Sequence, residues 1–309
     1  MQHLRSLPQE SLGNTWLTIG SFDGVHLGHQ EIIRHLVMEA HGSGGTAVVL
    51  TFDPHPAVVL GVRQLPYYLS SVDERAELLG SLGVDLVITQ QFNHTLANTS
   101  AREYMISLNA GLGIQQLWVG SDFALGRNRE GDVKFLQDFA AEMNFKLQVI
   151  DPIQIDGHII SSSQIRNLIQ AGEIQQAARM LGRHYQVEGV VIPGDQRGRT
   201  IGIPTANLKI DPEKILPANG VYACQAFVRG QAWPAATNIG IRPTFDGQSL
   251  ITHVEAHLIG FTGNLYGELI RLECIERLRG EQRFASIDAL VAQIHQDLAQ
   301  TMQIVRGVF

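Results

Sequence analysis

The sequence predicts an α/β protein in two parts: an open parallel sheet with helices on both faces, then a small Greek-key β-barrel closed by a C-terminal helix. Two observations predict it. In the first half, apolar β-branched runs alternate with segments of helical spacing, the pattern of βα units whose strands are buried on both faces. After residue 183, short alternating strands are separated by Gly, Pro, Asn and Asp and followed by one amphipathic helix. A chain of 309 residues, 44% hydrophobic and 17% charged, has material for two cores.

The stretch WLTIGSFDGVHLGHQ, residues 16–30, organises the first part. Leu17, Thr18 and Ile19 form a strand-like run, Gly20 to Gly24 break it, and helical spacing starts at Leu27. His26 and His29 therefore stand at the first turn of a helix, where free backbone N–H groups and the positive dipole end favour an anion. A polyphosphate fits there. Imidazoles aimed at non-bridging oxygens stabilise the charge that builds up when an α-phosphorus is attacked, and Gly28 lets the backbone come close. The plainer alternative is one capping and one surface histidine.

Strands follow at Thr46–Phe52, Asp85–Thr89, Gln116–Gly120 and Lys146–Ile150, with helices at SVDERAELLGSLG, Ser100–Leu112 and Val133–Met143 between them. Ligands of such a sheet bind beyond the carboxyl ends of its strands. Three more stretches reach that rim. In TFDPHP (Thr51–Pro56) two prolines impose an extended exit and hold His55 at the rim, unless the stretch is only a stiff turn. In GSDFALGRNREGD (Gly120–Asp132) Arg127 and Arg129 give an acidic chain a local basic feature, the alternative being a solvated loop. In ISSSQIRNLIQ (Ile160–Gln170) Ser161, Ser162 and Ser163 offer more hydroxyls than an N-cap needs, and with Arg166 they suit the β- and γ-phosphates of ATP. A short helix over Gly172–Arg183 ends this part, so the expected domains are 1–182 and 183–309.

The second domain begins with HYQVEGVVI and continues with strands at Gly220–Val228, Gln231–Ile239, Thr252–Leu258 and Glu268–Leu278 before the helix SIDALVAQIHQDLAQTMQIV. Between its first strands, Gly194, Gly198 and Gly202 alternate with Arg197 and Arg199. The lysine and spacing of a Walker A loop are missing, which leaves a glycine-rich arch over a nucleotide. If Pro204–Asn207 is extended, Thr205 and Asn207 point to the same side and present two neutral oxygens to Mg²⁺; a polar turn is the alternative. On the strand HVEAHL, His253, Glu255 and His257 share a face, as a zinc set would. No fourth ligand is evident, so a single carboxylate in the barrel mouth, Glu255, is preferred as a base, with His253 part of a polar strand face.

These motifs resemble, in order, those of the bacterial bifunctional riboflavin kinase/FMN adenylyltransferase family, also called FAD synthetase. GSFDGVHLGHQ is similar to the H-x-G-H signature of nucleotidyltransferases, in the form with Phe22, Asp23 and Gly24 ahead of His26. TFDPHP, the loop at Asp122 and Phe123, and the I-S-S-x-x-I-R helix start resemble its companions. In the second domain G-R-x-x-G-x-P-T-A-N-L, NIGIRPTF, VEAHL, LYGE and LRGEQRFASIDAL resemble the kinase module. Ala124, Leu125, Ile203 and Arg283 depart from the usual residues. The resemblance implies a Rossmann-like nucleotidyltransferase domain and a riboflavin kinase barrel, which phosphorylate riboflavin to FMN and adenylylate FMN to FAD with MgATP. It implies Gly20, Phe22, Asp23, His26, Gly28, His29, Ser162, Ser163 and Arg166 at the adenylylation ATP, and Asp53, His55, Asp122, Phe123 and Arg127 toward the flavin. For the kinase it implies Gly194, Gly198, Arg199, Gly202, Thr205 and Asn207 at ATP, the metal on Thr205 and Asn207, and Glu255 as base.

The net charge of −7 argues against a nucleic-acid surface. Cys224 and Cys274 are too sparse for a disulfide framework and point to a reducing, cytoplasmic setting; MQHLRSLPQE lacks a signal peptide's apolar core, and no apolar run reaches the roughly 18 residues of a membrane span. Two rivals remain, an enzyme with one degenerate head and a flavin or nucleotide sensor that turns nothing over.

Overall fold

The computed structural model describes residues 1–308 apart from 9, 156, 195–197, 199–200 and 244–249. They form two compact units, Met1–Ser162 and Ser163–Phe309.

In the first unit six strands form one sheet: β1 (Gln2–Leu4), β2 (Thr15–Ile19), β3 (Thr46–Asp53), β4 (Leu86–Gln91), β5 (Ile114–Gly120) and β6 (Lys146–Ile150). Their order is β1-β4-β3-β2-β5-β6, and every pairing is parallel. The direction of progression reverses between β2 and β5, where the splayed connections leave a crevice at the carboxyl edge. β2 is buried along its whole length, the reason its residues read as a continuous apolar run. The helices are α1 (Leu27–Gly42), a short α2 (Pro56–Val59), α3 (Val72–Ser81), a short α4 (His94–Ala97), α5 (Ala101–Leu112) and α6 (Val133–Met143). Tyr104, Met105 and Leu108 of α5 and Leu136 and Phe139 of α6 pack with Leu17, Leu50, Ile88 and Leu117 on one side of the sheet. Ile33 of α1 and Ala76 and Leu79 of α3 pack with Val49 and Val87 on the other. Ser71 with Glu74 and Ser100 with Glu103 close capping boxes that start α3 and α5 sharply. A two-stranded ribbon, β7 (Gln154–Ile155) and β8 (His158–Ile159), follows the sheet.

Helix α7 (Ser162–Ala171) starts on the last residue of the first unit, and α8 (Ile174–Leu181) belongs to the second. The barrel strands are β9 (Tyr185–Ile192), β10 (Ala206–Ile210), β11 (Gly220–Val228), β12 (Gln231–Pro243), β13 (Leu250–Leu258) and β14 (Leu269–Arg279). They close in the order β10-β13-β12-β11-β14-β9. Within that ring β14-β11-β12-β13 is the Greek-key arrangement, three meandering strands with the next returning beside the first. The final helix α9 (Ile287–Val308) is held to β14 by Arg279, whose guanidinium bonds both carboxylate oxygens of the buried Asp297. Cys224 and Cys274 face each other across β11 and β14 with Sγ atoms 3.8 Å apart. Their mutual hydrogen bond and burial push the Cys274 thiol well above its ordinary range.

The expected strands and long helices are all present. The exit at TFDPHP is extended through His55 (φ −60°, ψ 132°), after a cis Asp53–Pro54 bond, and Pro56 then opens α2, because proline's fixed φ and missing N–H suit a helix's first position. β1 and β10 are additions.

Candidate active sites

The first site is built where β2 ends. The chain turns through Phe22 (φ 46°), Gly24 (φ 78°) and Val25 (φ 39°), left-handed conformations that a β-branched valine adopts only under constraint. His26 caps α1, its Nδ1 accepting from the His29 N–H at 3.3 Å. An accepting Nδ1 leaves Nε2 to carry the proton of the neutral ring. The rings of His26 and His29 stack 3.6 Å apart at 17°, and the edge of Phe22 meets His29 at 5.1 Å. Gly28 has a local reason to be glycine: a Cβ there would lie 3.1 Å from His26 Cε1. Gly20 leaves similar room for the Phe22 ring, 3.1 Å from where its Cβ would stand.

Asp23 is 1% exposed, and its carboxylate accepts from Leu69 N, Ser70 N and Ser70 Oγ. It ties the turn to the approach of α3. Ser162 Oγ bonds the Asp23 carbonyl at 3.0 Å. Ser163 and Arg166 lie beyond Ser162, in the second unit.

A cavity of about 730 Å³ opens at the carboxyl edge of the sheet. Gly20, His55, Asp122 and Phe123, expected at the rim, line it. So do Phe52 of TFDPHP and, outside the motifs, Phe92 and Tyr104: they come from the end of β3, the exit of β4 and the first turn of α5, and no local pattern joins them. Phe52 and Phe92 meet edge to face at 5.6 Å, an apolar slot suited to a flat ring system. Tyr104 Oη donates to Gln90 Oε1 at 2.6 Å, and burial pushes its phenol well above the ordinary range. His55 caps α2 through Nδ1, while its N–H donates to Tyr68 Oη. Asp53 ends β3 without lining the cavity. Arg129, anchored on the Asp122 carbonyl at 2.9 Å, is the arginine of the loop that lines the cavity; Arg127 instead approaches Glu130 at 3.9 Å. Leu125 keeps the wall apolar where an aromatic is usual.

The second site lies on the barrel wall. Asn207 pairs with Glu255, and Glu255 with Asn238, across β10, β13 and β12. Directly opposed residues project to one face, and their neighbours Leu208, Val254, Ala256, Thr237 and Ile239 are buried inside the barrel. Glu255 is thus on the outer wall rather than in the barrel mouth. Thr205 Oγ1 lies 3.5 Å from Glu255 Oε2, and His253 Nε2 lies 2.5 Å from Oε1. His253 is therefore a partner of the carboxylate and not a bare polar face. His257 donates from Nδ1 to the Pro204 carbonyl at 2.7 Å. The two imidazoles are engaged apart, and no group of three His, Cys, Asp or Glu among the described residues is placed to hold a metal.

The glycine loop is fitted to this row. A Cβ on Gly194 would fall 2.1 Å from Asn207 Nδ2, and one on Gly198 would fall 2.3 Å from the Ile203 carbonyl and 3.6 Å from Thr205 Oγ1. Gly202 takes φ 78°. Arg199 lies outside the described residues. Asn207 Oδ1 is buried with no hydrogen-bond partner among the described residues.

A transferase that handles nucleotides in each of its two units is the class these sites define. The FAD synthetase family model matches residues 8–164 and the riboflavin kinase family model residues 181–305. The bifunctional riboflavin kinase/FMN adenylyltransferase of Pseudomonas fluorescens is 38% identical over 91% of this chain and 90% of its own. That of Bacillus subtilis is 34% identical over 97% and 96%. A solved structure described as a macrolide-efflux protein from Streptococcus pneumoniae superposes with a TM-score of 0.86 at 27% identity, over 97% of this chain and 98% of that one. The chain belongs to the bifunctional riboflavin kinase/FMN adenylyltransferase family, whose reactions convert riboflavin to FMN and FMN to FAD. No helix among the described residues is long and apolar enough to cross a membrane.

Proposed function

We propose that the barrel wall phosphorylates riboflavin and the sheet edge adenylylates FMN, with the functional junction at residues 182/183. At the barrel the 5′-hydroxyl of riboflavin attacks the γ-phosphorus of ATP, the bond to the β-phosphate oxygen breaks and ADP leaves, while Glu255, held in place by His253, accepts the hydroxyl proton. Thr205 and Asn207 hold the magnesium of MgATP; the buried, unpartnered Asn207 Oδ1 supports this, being an oxygen that suits a hard cation. Bound there, magnesium neutralises phosphate charge. Gly194, Gly198, Arg199 and Gly202 arch over the nucleotide.

At the sheet edge the FMN phosphate attacks the α-phosphorus of a second MgATP, releasing pyrophosphate. His26 and His29 stabilise the charge of the transition state, and Gly28 admits their geometry. Asp23 acts by holding the turn, with Gly20 and Phe22 shaping it. Ser162, Ser163 and Arg166 hold the leaving pyrophosphate. His55, Asp122 and Phe123 face the flavin in the cavity, and Asp53 and Arg127 support its rim. The two facing thiols and the use of ATP suit the cytoplasm.

One observation carries the assignment: the carboxylate, hydroxyl and amide of the kinase and the two stacked imidazoles of the transferase share no residue and lie in different units. The test is a time course with riboflavin and excess MgATP, resolved by chromatography. FMN rises first and then yields to FAD. FMN alone would condemn the roles of His26 and His29, and bound riboflavin without turnover would make the protein a sensor.

A further inference from the structure

Arg75 has no part in the motifs above, yet it is among the largest fully buried side chains of the protein, 0% exposed. Its sequence setting, VDERAELL, reads as the polar start of an amphipathic helix, where a basic residue would face water. Instead its guanidinium turns in beneath the first site. Nη1 donates to Thr51 Oγ1 at 3.0 Å and to the Phe52 carbonyl at 3.1 Å. Thr51 Oγ1 in turn donates to the Ser21 carbonyl at 2.9 Å. Ser21 and Phe52 both line the 730 Å³ cavity, so Arg75 joins the turn before His26 to the corner of TFDPHP from behind.

Among the described residues no carboxylate forms an ion pair with this guanidinium. Nε and Nη2 are buried with no hydrogen-bond partner among the described residues. Of the neighbouring acids, Asp73 pairs with Arg5 and Glu74 closes the capping box of α3. Arg75 also stands in the first turns of α3, at the positive end of its dipole, where a cation is disfavoured. Guanidinium stays charged at any ordinary pH, and a buried charge is screened little. Burying a charge without an ion-pair partner is costly, so two hydrogen bonds alone are a poor stability reason for an arginine here.

We propose that Arg75 is a positioning residue for adenylyl transfer: a buried positive charge that fixes the Ser21 turn against the Thr51–Phe52 corner and is compensated by the phosphates of the bound substrates. The inference rests on assigning adenylylation to the His26–His29 turn. The field of the guanidinium falls on a turn that must receive a triphosphate and a flavin phosphate, both strongly anionic. Its hydrogen bonds fix the backbone that forms the cavity edge. The empty protein then carries an electrostatic penalty that ligand binding relieves.

The test uses full-length Arg75→Met and Arg75→Lys, with His29→Ala as a reference. For each, the thermal midpoint, riboflavin phosphorylation, and KM and kcat for FMN adenylylation are measured. Arg75→Met is expected to fold with a midpoint at or above the parent's and to phosphorylate riboflavin normally. Its KM for ATP in FAD formation rises about tenfold, equivalent to about 1.4 kcal/mol, and depends less on ionic strength. Arg75→Lys keeps the charge but not the fork, so it restores most of the KM while kcat stays reduced. Parental KM values in Arg75→Met would overturn the inference. So would a lower midpoint, or failure to fold, with Arg75→Lys no better, which would make Arg75 a structural strut. If His29→Ala still makes FAD, the site assignment fails; if His29→Ala is inactive while Arg75→Met is unimpaired, only the role of Arg75 fails.

Discussion

On the assignment proposed above, Gly28 and Gly194 serve different reactions by the same physical means, since each leaves out the one carbon that would displace a neighbouring side chain. At Gly28 that side chain is the His26 imidazole; at Gly194 it is Asn207, whose amide a Cβ would overlap at 2.1–2.6 Å. Gly194→Ala must push Asn207 off its row with Glu255, and a shift of about 1 Å in a positioned group costs about 10²-fold in rate. Riboflavin-dependent ADP release is expected to fall by that order while pyrophosphate release from FMN and ATP stays at the parental rate. An equal fall in both would mean that Gly194 supports the fold and not the position of the Asn207 amide. The chemical residues give a sharper contrast. His29→Ala is expected to lower FAD formation about 10²–10³-fold with FMN accumulating, by loss of transition-state charge stabilisation. Glu255→Gln is expected to lower FMN formation about 10²–10⁴-fold, by loss of the base, and to leave FAD formation from added FMN intact. Chromatography of the flavins separates His29→Ala, which accumulates FMN, from Gly194→Ala and Glu255→Gln, which accumulate riboflavin.

Between residue and fold stands the way single side chains join elements. Asp23 gathers Leu69 N, Ser70 N and Ser70 Oγ onto one buried carboxylate, so the turn that presents His26 is tied to the start of α3. Asp23→Ala strands those donors away from water, at a cost of about 3 kcal/mol. Denaturant unfolding followed by Trp fluorescence is expected to show that loss, and FAD formation to fall with it; a loss below about 1 kcal/mol would show that Asp23 is no clamp. Such links explain where sequence reading stops. Period and punctuation place β2, β3, β5, β6 and the long helices, because burial on both faces and one-sided amphipathicity leave marks on adjacent residues. β1 is three residues long and carries no period. β10 begins inside PTANL, whose polar residues read equally well as a turn; only the pairing with β13 decides, since it sets Asn207 opposite Glu255. Phe92 and Tyr104 reach the slot of Phe52 from separate elements, and the inward turn of Arg75 breaks the amphipathic rule, so none of these three has a local signature.

At the scale of the whole chain, the parallel sheet and the barrel each bring a working row to an accessible place by their own topology. In the sheet, reversal of strand order between β2 and β5 opens the crevice where Gly20 and Ser21, at the end of β2, meet the aromatic slot; His26 and His29 do not line it. In the barrel, the register of β10, β13 and β12 lines up Asn207, Glu255 and Asn238 on the outer wall. The aromatic slot is lined wholly by residues of the first unit, and the kinase row comes wholly from the second. On the proposed assignment FMN is the product of one site and the substrate of the other, and we predict that it passes between them through solvent. This leads to a complementation test with His29→Ala and Glu255→Gln. Neither variant alone converts riboflavin to FAD, whereas an equal mixture does, with FMN appearing free before FAD and a lag that shortens as total protein rises. Adding an FMN-binding protein as a trap suppresses FAD formation in the mixture, because the intermediate must cross from one molecule to another. A mixture that makes no FAD, although each variant retains its own half-reaction on supplied substrate, would show that FMN is handed over within a single chain and never reaches solvent.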